Sequence, residues 1–281
     1  MEASKTHLKP AKPGKFSGFP IDLIITLLLW TYYTLGFILF FAPFYLVAYL
    51  FSNNIANRYQ KLNSFFYRIF FKMVRLLMPA CRWKIDPDVR QIRSSVVVSN
   101  HISYLDPILL ISLYARHTTI AKARLFGIPI YGKMLALSGY LPSTATGRLA
   151  DLMLRRMAAM PGHLAAGGNL IIFPEGTRGR DGRIGRLNKG AFKIARICRA
   201  PVKVLYITNT EKLFKPGRFL FDTQRTNTVR VELLAAIDPD YDSDTFSVNA
   251  LMERVHALLD KRNADCEPGS GKRVTATLEE L

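Results

Sequence analysis

Between Ile21 and Phe51 the chain reads IDLIITLLLWTYYTLGFILFFAPFYLVAYLF, and its only charge is Asp22. Water does not tolerate such a run as an exposed segment, and a bilayer-spanning helix needs about 20 apolar residues. A secretory h-region is shorter, about 7–15 residues, and precedes a small-residue cleavage site. Nothing after Phe51 reads A-x-A, so the run is read as a permanent membrane segment. Two arrangements fit it: a single tilted span, or a hairpin of two short helices that breaks near Gly36 or Pro43. Lys5, Lys9, Lys12 and Lys15 precede the run, and Arg58, Lys61, Arg68, Lys72 and Arg75 follow it. Basic flanks prefer the cytoplasm, which favours the hairpin. It also places the rest of the chain on the cytoplasmic side of an inner (cytoplasmic) membrane. A buried pair of core helices is the soluble alternative, and the lack of a polar face argues against it.

Residues 58–78, RYQKLNSFFYRIFFKMVRLLM, differ in kind. Their cations recur at helical spacing, with Phe65, Phe66, Ile69, Phe70, Met73, Leu76 and Leu77 on the other side. That pattern suits a helix lying in an anionic lipid interface, or one packed on its own domain. Charge extends beyond this helix. The 39 Lys+Arg against 21 Asp+Glu give +18, of which residues 1–93 carry +9, residues 94–237 carry +14 and residues 238–281 carry −5. An excess spread through the body calls for an anionic partner: nucleic acid, an anionic membrane surface or a phosphorylated substrate. No helix-turn-helix, RNA-recognition or finger signature is present, so no nucleic acid is expected. The three cysteines are scattered, which excludes a disulfide scaffold or zinc ribbon. The five histidines form no metal-ligand pattern, and no metal or cofactor is expected.

After Pro79 short β-branched runs alternate with helical stretches. VVVS (96–99), TTIAKA (118–123), NLIIFPEG (169–176), VKVLYITN (202–209) and TVRVELLAAI (228–237) read as strands or strand–loop units, and 189–200 and 249–262 as helices. The alternation predicts an α/β fold, a mostly parallel sheet flanked by helices, with the membrane-embedded helical segment at its N-terminus. The expected organisation is a basic segment (1–20), the membrane segment (21–51), an amphipathic interfacial helix (52–80), a domain over 81–264 and a disordered tail (265–281). Sites in such sheets lie at the carboxyl ends of strands, and three polar clusters fall there.

The first cluster, SNHISYLDP, contains His101 and Asp106 in an H-x-x-x-x-D spacing. A histidine takes a proton from an alcohol near neutral pH, and a carboxylate on its other nitrogen fixes its tautomer. Asp106 before Pro107 also reads as a helix start, and the two roles are compatible. The second cluster, FPEGTRGRDGR, places Glu175, Gly176, Thr177 and Arg178 after a strand. Arginine forks suit phosphate, and glycine lets backbone approach an anion. Glu175 either orients a ligand or holds Arg178. In the third, KARLFGIPIYG, Lys122 stands at a strand end as a second phosphate contact. Leu125, Phe126, Ile128 and Tyr131 line an apolar channel or belong to the core.

The ordered set N-H-x-x-x-x-D, K-x-x-L-F-x-I-P-x-x-G and F-P-E-G-T-R resembles the glycerolipid acyltransferase family, over about Ser99 to Ala200. The resemblance implies an enzyme moving an acyl chain from acyl-CoA or acyl carrier protein to the 2-hydroxyl of a lysophospholipid. The best-known acceptor is 1-acyl-glycerol-3-phosphate. His101 becomes the base and Asp106 its partner. Lys122, Glu175, Gly176, Thr177 and Arg178 become substrate-binding. Three departures concern the acceptor more than the reaction: the stretch from Ala200 to Leu205, which lacks the usual second proline, Gly179 in place of a common serine, and Arg124 in place of a common glutamate.

Overall fold

The computed structural model describes residues 19–144, 147–177, 183–215 and 217–266. Nearly all of the basic N-terminal segment, Arg178 and all but the first two residues of the acidic tail lie outside the described residues.

The apolar run forms one helix, α1 (Phe19–Phe51), 33 residues long and apolar enough to cross a membrane. It is α-helical to Thr31, π-helical over Tyr32–Phe41 and α-helical again from Ala42. Gly36 and Pro43, where a hairpin would break, lie inside it. Pro43 follows directly on the π-to-α junction, where the Ala42 amide still bonds the Phe37 carbonyl five residues back. The reversal comes instead at Ser52–Asn54, and α2 (Ile55–Leu77) returns along α1. Asn54 starts α2, its side chain accepting from the Asn57 amide at 3.0 Å. Aromatic side chains join the pair. Tyr32 stacks on Phe66 with centroids 5.0 Å apart, and its hydroxyl donates to the Phe66 carbonyl at 2.8 Å. Phe66, Phe70, Phe71 and Val74 of α2 are buried. The aromatic face that the sequence offers to lipid is therefore largely covered by protein. Arg58, Lys61, Lys72 and Arg75 stay exposed.

Among the described residues seven strands form one sheet: β1 (Cys81–Ile85), β2 (Val96–Ser99), β3 (His117–Ala121), β4 (Leu141–Pro142), β5 (Asn169–Ile172), β6 (Val202–Thr208) and β7 (Asn227–Ile237). Their order is β1-β7-β6-β2-β5-β3-β4. Every neighbouring pair is parallel except β6 and β7. The connecting helices are α3 (Pro87–Gln91), α4 (Leu105–Leu113), α5 (Tyr131–Leu137), α6 (Arg148–Ala165), α7 (Gly190–Cys198) and α8 (Thr210–Leu213), and α9 (Val248–Ala264) closes the described chain.

Strand alternation sends Val97, Ile171 and Leu205 into a core with α1, α2 and α4. Val96, Val98, Leu170 and Val204 enter a second core with α6, α7 and α9. Strands covered on both faces read as continuous apolar runs, as VVV and LII do. The loop after α8 fastens α1 to the domain. Asp22 accepts from the Thr223 amide at 3.0 Å and from its hydroxyl, and the Thr26 hydroxyl accepts from the Phe221 amide at 2.9 Å.

Candidate active site

His101 is the second residue beyond Ser99, the end of β2, at the carboxyl edge of the parallel strands. Asn100 fixes that exit. Its side chain donates to the Ile207 carbonyl at 2.8 Å and accepts from the Ile207 amide at 2.7 Å, which clamps the loop to β6. Asp106 lies in the first turn of α4, as the sequence pattern implies, and is fully buried. Its Oδ2 lies 3.1 Å from His101 Nδ1 and accepts from the Ile102 and Ser103 amides at 2.7 Å each. Oδ1 accepts from the Thr210 hydroxyl at 2.5 Å.

The carboxylate serves as acceptor to all these groups, so His101 Nδ1 carries a proton and donates. The Nε2 lone pair is left for another partner. The His101 side chain is 16% exposed and packs against the Phe173 ring with centroids 4.6 Å apart. Thr210 was not singled out by sequence. It lies a hundred residues from Asp106, and a threonine after a strand carries no motif of its own. Glu211 also escaped notice. Burial raises its carboxyl above the ordinary value, and its Oε2 is buried without a partner.

Glu175 reaches the same loop from β5. Oε1 accepts from the His101 amide at 3.1 Å and Oε2 from the Gly185 amide at 2.9 Å. Burial raises its carboxyl, and the two amides oppose that shift. Its described contacts are thus to backbone: it ties the β2 and β5 exits together. Gly176 adopts φ +66°, a left-handed value that favours glycine, and borders the cavity described next. Thr177 is exposed.

A cavity of about 650 Å³ opens beside His101. Lys122 and Arg124 border it with Gly176, and its walls include Leu29, Tyr67, Phe70, Leu125, Tyr131 and Ile172. The structure therefore brings His101, Lys122 and Gly176 to one space, with Leu125 and Tyr131 of the third cluster. Phe126 packs against the core, and Ile128 is exposed. Asn63, Ser138 and Tyr140 also line it. They lie toward the amino-terminal ends of β3 and β4, opposite His101. There Asn63 donates to the Ser138 hydroxyl at 2.9 Å and the Tyr140 hydroxyl at 3.0 Å, and accepts from Tyr45 at 2.5 Å. Among the described residues no group of histidine, cysteine and carboxylate side chains has metal-binding geometry.

A histidine whose Nδ1 is held by a buried carboxylate, at the carboxyl edge of a largely parallel sheet and beside an apolar cavity, is arranged to accept a proton from a bound hydroxyl. The model of the Acyltransferase family matches residues 84–208, which contain every site residue that the sequence pointed to. A chloroplastic 1-acyl-sn-glycerol-3-phosphate acyltransferase of Brassica napus is 35% identical over 123 residues, 43% of this chain and 35% of that protein. A 1-acyl-sn-glycerol-3-phosphate acyltransferase of Helicobacter pylori is 30% identical over 164 residues, 58% of this chain and 67% of that protein. The crystal structure of the 1-acyl-sn-glycerophosphate acyltransferase of Thermotoga maritima superposes with TM-score 0.64 at 22% identity, covering 88% of this chain and 97% of the other, and shows a shared fold. The chain belongs to the glycerolipid acyltransferase family. It spans about a third of the length of the chloroplastic relatives of Brassica napus and Arabidopsis thaliana.

Proposed function

We propose that the protein transfers an acyl chain from acyl-CoA or acyl carrier protein to the 2-hydroxyl of 1-acyl-glycerol-3-phosphate, making phosphatidic acid. The observation that carries this reading is the pairing of His101, its Nδ1 held by Asp106, with an apolar cavity whose rim bears Lys122. His101 Nε2 takes the proton as the acceptor oxygen attacks the thioester carbonyl carbon. The tetrahedral intermediate collapses, the carbon–sulfur bond breaks, and the departing thiolate takes the proton back from the imidazolium. Buried Asp106 stabilises that imidazolium. Lys122 holds the acceptor phosphate, with Arg178 as a second contact from the second cluster, and this fixes the hydroxyl near the base. Glu175, Gly176 and Thr177 shape the substrate side of the loop, Glu175 by fixing the His101 backbone. The cavity houses an acyl chain.

The domain over 81–264 carries this chemistry, and α1 attaches it to an anionic membrane surface on the cytoplasmic side. Leu27, Leu28, Leu39, Phe40, Phe44 and Leu50 face outward from α1, an apolar stripe that lipid would cover. The test is a panel of lysolipid acceptors with both donor types, using the full chain in mixed micelles. The reading predicts that 1-acyl-glycerol-3-phosphate exceeds lysophosphatidylcholine and lysophosphatidylethanolamine by tenfold or more in kcat/KM, about 1.4 kcal/mol. Equal use of the zwitterionic acceptors would replace this acceptor with another lysolipid, and no transfer at all would leave a non-catalytic membrane scaffold.

A further inference from the structure

A second cleft, of about 240 Å³, lies away from His101, between the first turns of α2 and the C-terminal half of α6. Arg116, Arg156 and His163 line it with Asn54, Asn57 and Gln60. It backs onto the far end of the large cavity, where Gln60 donates to the Ser138 carbonyl at 3.0 Å. No carboxylate lines it, and among the described residues neither arginine has an ion-pair partner.

Both arginines are anchored by neutral oxygens only. Arg116 Nε donates to the Asn57 side chain at 3.2 Å, and its Nη1 donates to the Ala166 carbonyl. Arg156 Nη2 donates to the Ala136 carbonyl at 2.5 Å, while its Nε is buried with no partner. Burial and the neighbouring Arg155 depress the Arg156 guanidinium. Gly139, at a φ of +81° that favours glycine, lines the cleft beside Gln60 and Arg156. The buried Arg156 Nε without an acceptor is costly, and no carboxylate balances the two half-buried guanidinium groups. An anion with several acceptor oxygens supplies what is missing, and arginine forks match phosphate geometry.

The cleft is too small for a whole lipid but admits a phosphate and part of its ester. Its place decides the source. Helix α1 begins beside the loop that borders the active site and ends at Phe51, 78% exposed, three residues before Asn54. A membrane covering the outward stripe of α1 presents headgroups at this mouth.

We propose that the cleft formed by Arg116, Arg156 and His163 binds the phosphate of an anionic membrane phospholipid, at a site separate from the acceptor site. The lipid source rests on the membrane reading of α1, whereas phosphate recognition does not.

The experiment follows thermal unfolding of the full chain in neutral-detergent micelles. One arm adds inorganic phosphate against chloride at matched ionic strength, and another dopes the micelles with phosphatidylglycerol or phosphatidylcholine. Binding to the folded state raises the midpoint. Both phosphate and phosphatidylglycerol raise it in the parent, and phosphatidylcholine does not. In the Arg116→Gln/Arg156→Gln double variant the half-saturating concentration rises about tenfold or more, while transfer activity stays within about twofold. Lys122→Gln, altered at the active-site phosphate contact, keeps both shifts. If the double variant fails to fold, Ala159→Phe fills the exposed mouth without removing charge and abolishes both shifts. The proposal is overturned by the absence of any shift in the parent, by parent-like shifts in the double variant or Ala159→Phe, or by loss of both shifts in Lys122→Gln. A response to inorganic phosphate alone overturns the lipid source.

Discussion

Asp106 receives four donors from two parts of the chain: the His101 ring and the Ile102 and Ser103 amides of its own loop, and the distant Thr210 hydroxyl. The local donors belong to the H-x-x-x-x-D segment, which is why that pair was legible in sequence. Thr210 acts through Asp106 as a positioning residue, and only β6 pairing beside β2 brings it there. Thr210→Val removes the donor while keeping the volume. It is expected to lower kcat about tenfold with KM changed less than twofold, and Thr210→Ser to restore kcat. A merely structural role would instead show equal loss of folded protein in both variants. Glu175 marks the limit of reading residue types. Its motif marked it as functional, yet its use on the His101 and Gly185 amides depends on two loops meeting in space. Arg178 lies outside the described residues, so its phosphate role stands on the motif alone.

At the scale of elements, β2, β3, β5 and β6 are legible because they are largely buried on both faces and rich in β-branched residues. The edge strand β1, CRWKI, alternates buried and exposed positions and is not legible as a strand. The two-residue β4 and the reversed direction of β7 had no such signal. Nor did the pairing of α1 with α2, since apolarity shows that a face leaves water but not what covers it. The knot at the far end of the cavity joins α1, α2, β3 and β4. His117 sits inside it, its ring 2.8 Å from the Tyr114 carbonyl and 2.7 Å from the Tyr140 hydroxyl. Burial pushes its pKa down from 6.5 to about 3. The unfolded chain therefore takes up this proton near pH 6.5 and the folded chain only near pH 3. Stability from this residue is complete above pH 6.5 and is lost on acidification toward pH 3, by about 1.4 kcal/mol per pH unit. Urea unfolding at several pH values between 6.5 and 5 checks this. His117→Gln is expected to flatten the slope by about 1 kcal/mol per pH unit relative to the parent. Partly buried His163 is shifted in the same direction by its burial and adds to the slope of the parent. An unchanged slope in the variant would contradict the assignment.

For the whole molecule, the +18 charge and the apolar run belong to one design. Helix α1 lies along the domain, its inner side held by α2 and the 221–223 loop and its outer side bare. Replacing Leu28, Leu39, Phe40 and Leu50 with polar residues is expected to move the protein from vesicles to the supernatant in flotation assays. Activity toward a micellar acceptor would stay within about threefold, because none of the four lines the cavity. Unchanged flotation would mean that the stripe is not the membrane contact.

The central claim is that His101 is the base of an acyl transfer. Its most direct test is the rate at which purified full-length His101→Ala, folded to the same extent as the parent, moves a radiolabelled acyl chain to 1-acyl-glycerol-3-phosphate. A fall of about 10²–10⁴ is predicted. Activity within about threefold of the parent would contradict the account.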